Sequence, residues 1–221
     1  QPAIKNPCKA SATNVLGTCN VLQAARENGV DRVIYSSTSS AYGLTNTPPL
    51  TEDMPNDCLN PYSVTKVAGE ELCKMYTKLF GLKTLTLRYF NVYGERQPIK
   101  GQYAPVVGIF LCQTEAGEPM TIVGDGLQRR DFTYISDVVD ANMLAMNSEA
   151  VNIWGQTCNI GTGKNHSVLE LAKMIGTKYI HIPERLGEAR VTLADITKAR
   201  FVLDWEPKVQ LEDWIKEYTN V

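Results

Sequence analysis

Tyr62 and Lys66 are the two residues of this sequence whose types and spacing most directly suggest chemistry. They are four residues apart, and on a helix such residues lie on the same face. A free phenol has a pKa of about 10, but a neighbouring ammonium group favours the phenolate and lowers that value. Tyr62 could then take a proton from a hydroxyl group while a hydride leaves the same carbon. Such pairs also occur by chance, so a surface tyrosine beside a lysine is the alternative interpretation.

A run of hydroxyl side chains precedes this pair. Residues 36–43, SSTSSAYG, come directly after the apolar segment 32–36, which reads as a short buried strand. In an open α/β sheet, ligands bind at the carboxyl ends of the strands, where these hydroxyl groups would lie. Taken by itself, the run could also be an ordinary loop rich in serine and threonine.

The elements that must position these residues alternate between helix and strand. Apolar residues at helical spacing predict helices at 13–28 and 61–80, ended by Gly29 and Gly81, and a strand at 83–89 follows the second helix. Alternation of this kind predicts a parallel sheet covered by helices on both faces, which is the doubly wound architecture.

The rest of the chain continues with helices and strands after a looser region from Gly94 to Arg130. Ser167 is a candidate cap for one of the helices. The further predicted elements are a helix at 105–116, strands at 120–123 and 157–160, and helices at 137–146, 168–175, 195–203 and 211–218.

Five segments, taken together, resemble the extended short-chain dehydrogenase/reductase superfamily, in its nucleotide-sugar epimerase/dehydratase branch. The similarity runs from about Asn14 to the carboxyl terminus. The segments are SSTSSAYG at 36–43, NPYSVTKVAGE at 60–70, LRYFNVYGERQ at 87–97, GDGLQRRDFTYISDVVDA at 124–141 and NIGTG at 159–163.

This resemblance implies an α/β fold with an incomplete doubly wound, Rossmann-like parallel sheet and a smaller α/β substrate-binding domain. We expect residues 1–94 and 131–162 to form the Rossmann-like domain, which carries the catalytic residues. Residues 95–130 and 163–221 would then form the nucleotide-sugar-binding domain.

The resemblance also implies catalytic and cofactor-binding residues. Thr38, Tyr62 and Lys66 match the family's active-site Ser/Thr, Tyr and Lys. Ser36, Ser37, Tyr62 and Lys66 are the residues expected to contact the cofactor, NAD.

The two residues after Thr38 distinguish between reactions of the family. Dehydratases of the family carry an Asp-Glu pair there to eliminate water, whereas this sequence has Ser39-Ser40. With no acid and base at these positions, epimerisation is favoured over dehydration.

A nucleotide-sugar site is implied on similar grounds. Guanidinium groups suit phosphate oxygens, and Thr192 stands where galactose epimerases often have a bulky tyrosine. Two residues depart from the family pattern. Gly108 lies in the segment expected near the nucleotide base, and Leu186, next to Arg185, replaces the proline that the family usually has. The residues expected to bind the substrate are Ser39, Ser40, Asn91, Val107, Arg130, Arg185, Glu188 and Thr192.

The glycine-rich NAD loop of the family, GxxGxxG, has no counterpart before Thr38, where the only glycines are Gly17 and Gly29. We therefore interpret the sequence as an N-terminally truncated 4-epimerase of a UDP-hexose or UDP-N-acetylhexosamine. Two other hypotheses remain open. The chain could be a non-catalytic nucleotide-sugar-binding module, or a UDP-sugar decarboxylase or reductase of the same superfamily.

The composition of the chain excludes several kinds of binding partner and catalytic site. The chain has 22 basic and 24 acidic residues and a net charge of -2, which argues against nucleic acid. No apolar run approaches the roughly 20 residues that cross a bilayer. The six cysteines form no CxxC pair and two histidines offer little for a zinc hydrolase or a Ser/His/Asp site. We expect a cytoplasmic protein with reduced cysteines, and the resemblance implies a homodimer formed through a helix bundle.

Overall fold

The computed structural model describes residues 2–101, 104–184 and 189–219. Its strands are β1 Arg32–Thr38, β2 Lys83–Tyr89, β3 Asn91–Tyr93, β4 Met120–Val123, β5 Arg129–Tyr134, β6 Gln156–Ile160, β7 Asn165–Ser167 and β8 Tyr179–Ile182. Its α-helices are α1 Pro2–Lys5, α2 Pro7–Ser11, α3 Gly17–Glu27, α4 Pro61–Phe80, α5 Val106–Glu115, α6 Ile135–Asn147, α7 Val168–Ile175, α8 Thr197–Leu203 and α9 Leu211–Thr219. A π-helical turn, Ala12–Leu16, joins α2 to α3.

The main sheet has the strand order β1-β2-β6, and both pairings are parallel. The sheet is covered on both faces, because alternate residues of β1 pack in different clusters. Val33 and Tyr35 pack with residues of α3 and α4, whereas Ile34 packs with Val138 and Ala141 of α6. The predicted parallel sheet with helices on both faces is confirmed.

Helix α4 begins and ends at positions that its sequence specifies. Asn60 accepts a hydrogen bond from the backbone NH of Ser63, and the Ser63 hydroxyl accepts one from the backbone NH of Asn60, which forms a capping box. Pro61 occupies the first helical position, and Gly81 ends the helix with a φ of 72°. The first turn of the helix, which carries Tyr62, is therefore fixed in place.

Gly69 lets α4 approach β1 closely. A Cβ atom at this position would lie 2.1 Å from the hydroxyl oxygen of Tyr35. The tyrosine ring thus fills the space that any other side chain at position 69 would need.

Two smaller sheets lie in the rest of the chain. β5 pairs with β3 in parallel and with β7 in an antiparallel manner, and β4 pairs with β8 in parallel. Side chains of α5, α7 and α9 pack with these sheets in a second core that includes Phe110, Leu171 and Trp214.

The division into two domains stays a prediction. α8 was expected in the second domain, but its residues Ala199 and Leu203 pack in the same core as Leu85 and Cys158 of the main sheet.

All six cysteines are free thiols, as predicted, and Cys73 and Cys158 are buried. Among the described residues, no helix is both long enough and apolar enough to span a bilayer.

Candidate active site

The structure brings Tyr62 and Thr38 together. Thr38 ends β1, Tyr62 lies in the first turn of α4, and the Thr38 side chain lies close enough to the Tyr62 phenol to lower the pKa of that phenol. Tyr62 is 41% exposed, so a ligand at the carboxyl end of β1 could reach its hydroxyl group. The juxtaposition fits the predicted catalytic pair.

The pKa of Tyr62 lies above its ordinary value, which differs from the expected depression by Lys66. Partial burial of the phenol raises this pKa, and the nearby Thr38 side chain acts in the opposite direction. The Lys66 ammonium lies instead over the ring of Tyr35, with Nζ 4.2 Å from the ring centroid. Because the lysine side chain rests on Tyr35, its charge does not lower the pKa of the Tyr62 phenol in this arrangement.

Lys66 is a half-buried cation. Burial lowers its pKa, while the negative charge of Glu70, one helical turn further on, and an ionised Cys73 would raise it. In the described part of the chain, no carboxylate lies within ion-pair distance of the ammonium group. Its three donors therefore remain suited to hydroxyl groups of a ligand.

The two serines that precede Thr38 point in different directions. Ser36 is exposed, and its hydroxyl oxygen lies 3.1 Å from that of Tyr89. Ser37 is only 4% exposed and donates a hydrogen bond to Glu70 on α4. The expected contact of the Ser37 side chain with NAD does not fit this geometry, because strand alternation turns the hydroxyl group into the core.

Ser39 and Ser40 begin a short 3-10 turn, Ser39–Tyr42, directly after Thr38. Ser40 accepts a hydrogen bond from the Thr38 hydroxyl at 3.1 Å, and the Ser40 backbone NH donates to Thr38 Oγ1 at 3.2 Å. These contacts fix the end of β1. A role for both serines in substrate binding stays a prediction.

Asn91 and Arg130 lie on neighbouring strands of one small sheet. Asn91 is exposed at the start of β3 and pairs with Phe132 of β5, so Arg130 lies two residues before that pairing position. Arg130 is half-buried, and its Nη1 donates to the Arg129 carbonyl oxygen at 2.9 Å. The two residues therefore lie near each other on adjacent strands.

Thr192 is held against β5. Its backbone NH donates to the Arg129 carbonyl oxygen at 3.0 Å, and its hydroxyl oxygen accepts from the Asp131 backbone NH at 3.3 Å. Only 7% of Thr192 is exposed, which leaves little of the side chain available to a sugar. Its expected contact with the substrate stays a prediction.

The side chain of Val107, a residue expected at the substrate site, points into the core. Val107 is fully buried and packs with Phe110 and Leu111, which lie three and four residues further along α5, in the second core. The spacing of these three residues is typical of a core-facing helix stripe. Gly108 lies against the chain at Pro98, where a Cβ atom would come within 2.9 Å of the Pro98 carbonyl oxygen.

Arg185 and Glu188, the remaining residues expected at the substrate site, lie outside the described residues.

Three residues near the site were missed in the sequence. Glu70 and Arg88 form a buried ion pair behind the Tyr–Lys face of α4, and Tyr35 supports the Lys66 ammonium. Two signals could have revealed them. Glu70 continues the spacing of Tyr62 and Lys66 by four more residues, and Arg88 places a charge near the carboxyl end of a strand whose central residues are uncharged.

NAD is the cofactor that the resemblance implies for this site. An exposed phenol and the hydroxyl of Thr38 lie at the carboxyl end of a parallel strand, and a half-buried ammonium lies over Tyr35 of the same strand. This donor set fits the nicotinamide and ribose end of a dinucleotide. Tyr62 and Lys66 are the residues that would hold that end.

The fold and the site define an α/β protein of the doubly wound class with a Tyr–Lys pair at the rim of its parallel sheet. The model of the NAD dependent epimerase/dehydratase family matches residues 2–161. The chain belongs to this family.

Individual relatives agree with this assignment. A putative UDP-glucose 4-epimerase of Methanocaldococcus jannaschii is 39% identical over 225 residues, which cover 99% of this chain and 72% of the relative. The crystal structure of a UDP-glucose 4-epimerase from Thermotoga maritima with UDP-glucose superposes with a TM-score of 0.92 at 35% identity, over 99% of this chain and 72% of that one. A UDP-glucuronic acid 4-epimerase from Bacillus cereus in complex with UDP-glucuronic acid and NAD has a TM-score of 0.84 at 36% identity, over 95% and 67%.

Proposed function

We propose that this chain provides the catalytic and substrate-binding residues of an NAD-dependent 4-epimerase that acts on a UDP-hexose or UDP-N-acetylhexosamine. The observation that carries the proposal is the position of the exposed Tyr62 phenol beside Thr38 at the end of β1, with Lys66 one helical turn away on the same face of α4. The UDP-sugar 4-epimerases among its relatives support the reaction and the nucleotide.

In this mechanism Tyr62 moves the proton. As the phenolate it takes the proton from the C4 hydroxyl group, and as the phenol it returns the proton once C4 has been inverted. Tyr62 and Lys66 would hold NAD, which would supply a reversible hydride acceptor for C4. The Thr38 side chain lowers the pKa of Tyr62 and so increases the phenolate fraction.

Asn91 and Arg130 are proposed to hold the diphosphate while the sugar turns. A guanidinium group binds phosphate oxygens with two parallel hydrogen bonds, and the amide of Asn91 adds a neutral donor from the adjacent strand. Ser36 and the turn at Ser39-Ser40 lie at the same strand end and complete the proposed pocket.

A homodimer and a cytoplasmic location are further parts of the proposal. α3 and α4 expose Val21 and Val64 to 60% and 54%, and these apolar side chains would be covered in a four-helix bundle between two copies. The six free thiols suit a reducing compartment.

Tyr62→Phe tests the reaction. Without the phenol oxygen, conversion of UDP-glucose to UDP-galactose in the presence of NAD should fall by at least about 10²-fold, while the Kd for UDP-glucose stays unchanged. Conversion is measured by chromatography and binding by calorimetry. Unchanged conversion in Tyr62→Phe would contradict the assigned role.

Arg130→Met tests the diphosphate site. Loss of the guanidinium group should weaken UDP-glucose binding by about 10-fold or more, since a charged hydrogen bond is lost. Arg129→Met is the matched control, because Arg129 points to Asn165 and Glu170. Equal effects of the two changes would count against the site.

The other hypotheses give different results in the same experiments. Binding of UDP-glucose by calorimetry with no conversion and no NAD binding would indicate a non-catalytic module. Release of carbon dioxide from UDP-glucuronate would indicate a decarboxylase.

A further inference from the structure

A buried ion pair lies behind the face of α4 that carries Tyr62 and Lys66. Arg88 Nε and Nη2 donate to the two carboxylate oxygens of Glu70 at 2.9 Å and 2.6 Å, and only 3% and 6% of the two residues are exposed. Replacing such a pair by apolar residues of similar volume is often neutral or stabilising. Stability alone therefore does not account for the pair, and a geometric role is the better explanation.

Glu70 connects two parts of the active site. It follows Tyr62 and Lys66 at a spacing of four residues each, so the three residues lie on one stripe of α4. The same carboxylate accepts a hydrogen bond from Ser37, whose chain neighbour is Thr38. One side chain thus links the catalytic stripe of the helix to the end of β1.

Arg88 extends this link across the sheet. It lies on β2 opposite Ser37, and its Nη2 also donates to Asn56 Oδ1 at 2.9 Å. Its guanidinium group lies 4.8 Å from the ring centroid of Tyr42, in the turn that follows Thr38. The ion pair thereby ties α4, β1, β2 and the loop after β1 into one rigid unit.

We propose that Glu70 is a positioning residue of the active site, which holds the Tyr–Lys face of α4 against the end of β1 so that Tyr62 meets Thr38. The proposal rests on the function assigned to Tyr62 and Lys66. Glu70 has a second, electrostatic effect, because its charge favours the ammonium form of Lys66 against burial. The other groups that face Lys66 are the Tyr35 ring on β1 and Cys73 on α4.

Ser37→Ala tests the link without changing any charge. Nuclear Overhauser contacts between the Tyr62 ring and the Thr38 side chain, measured on this chain, should weaken, because Glu70 loses its direct hydrogen bond to the residue before Thr38. Thr84→Val is the matched control, since the buried Thr84 hydroxyl makes a comparable bond from the sheet to α4, donating to the Cys73 carbonyl oxygen at 2.9 Å. In Thr84→Val the contacts should persist.

Glu70→Gln combined with Arg88→Met tests the ion pair itself. The double change leaves no unpaired buried charge, so the fold should survive. Glu70→Gln alone would leave the charge of Arg88 buried without a carboxylate partner. The Tyr62–Thr38 contacts should be lost, and the pKa of Lys66, followed by NMR of its 13C-labelled ε carbon, should fall. Should the double variant fail to fold, Ser37→Ala decides by itself.

The proposal is overturned if Ser37→Ala keeps the Tyr62–Thr38 contacts at full strength, or if Thr84→Val weakens them equally. Neither readout depends on turnover. A failure of the proposed epimerase reaction, seen with Tyr62→Phe, therefore remains distinguishable from a failure of the role of Glu70.

Discussion

The Lys66 ammonium is stabilised by an aromatic ring rather than by a carboxylate in direct contact. Its Nζ lies 4.2 Å from the Tyr35 centroid, and the Tyr35 hydroxyl donates to the Lys66 carbonyl oxygen at 3.3 Å. A cation over a ring face is favoured by about 0.5–2 kcal/mol, depending on how far it is removed from water. Tyr35 thus holds the Lys66 side chain in position and favours its ammonium form. Lys66 is one of the residues proposed to contact the cofactor.

Tyr35→Leu should therefore lower the pKa of Lys66 further, because the charged form loses the ring face while burial remains. Tyr35→Phe is the control: it keeps the ring and removes only the hydroxyl bond, so the pKa of Lys66 should stay near that of the wild type. NMR titration of 13C-labelled lysine measures both. Identical titrations of Tyr35→Leu and the wild type would rule out this effect of the ring.

The pH dependence of turnover should depend on Thr38. Tyr62 acts as a base, so activity falls as the pH falls below the pKa of the phenol. The Thr38 side chain lowers that pKa, and Thr38→Val should raise it. The acid limb of kcat/KM then moves to higher pH in Thr38→Val, whereas Thr38→Ser, which keeps the hydroxyl group, leaves it in place. If the acid limb of kcat/KM does not move in Thr38→Val, this role of Thr38 is contradicted.

The sequence predicted that Tyr62 and Lys66 share one face of α4, but not which groups would set their pKa values. A spacing of four residues on a helix places Tyr62 and Lys66 on one side, yet it does not determine where a flexible lysine chain ends. The side chains of Ser37 and Val107 point into the core, which their sequence positions do not reveal. The direction of a side chain on β1 or on α5 depends on which face packs, and distant residues decide that, such as Glu70 for Ser37.

At the scale of the element, the start of α4 positions the proposed catalytic base. The capping box of Asn60 and Ser63 satisfies two backbone NH groups immediately around Tyr62. α7 begins with the same device, formed by Ser167 and Glu170.

Asn60→Ala should lower the free energy of unfolding by about 1 kcal/mol, since the NH of Ser63 loses its acceptor. Turnover should fall as well, because the first turn of α4 loosens. Ser167→Ala in α7 is the control and should cost a similar amount of stability with no change in turnover. Denaturant unfolding and an activity assay of both variants measure these effects. Equal turnover in the two variants would contradict the claim that the cap of α4 positions Tyr62.

Long elements with strong patterns were predictable. The bounds of α4, α7, β2 and β4 were predicted correctly, because caps, glycine stops and periodic apolar residues all agree there. β3, β5, β7 and β8 were missed. β3 and β7 have only three residues each, β5 begins with Arg129-Arg130, and β8 has four residues, so their strand conformation comes from pairing with segments far away in the sequence.

At the scale of the whole molecule, two apolar surfaces lie on opposite faces of the main sheet. One includes Val64 of α4, 54% exposed, and the other includes Met143 of α6, 51% exposed. The proposed homodimer uses the first of these surfaces. The second surface lies beside β1. Among the described strands, β1 pairs only with β2, so it is an edge strand of the main sheet.

Val64→Glu should dissociate the proposed dimer, because the charge would be buried without a partner in the bundle. Met143→Glu, with a similarly exposed starting residue, should leave it intact. Sedimentation velocity over a range of concentrations measures the oligomeric state. If Met143→Glu alone dissociates the dimer, the interface lies on the α6 face instead.

The two buried cysteines make the opening of this sheet measurable on each face separately. Cys73 lies in the α3–α4 cluster and Cys158 in the cluster beneath α6, and burial raises the pKa of each thiol to about 12. An alkylating reagent at neutral pH can therefore modify either one only when its side of the sheet opens. Equal labelling rates would mean that both helical layers detach in a single cooperative event, and unequal rates would reveal which layer comes away first.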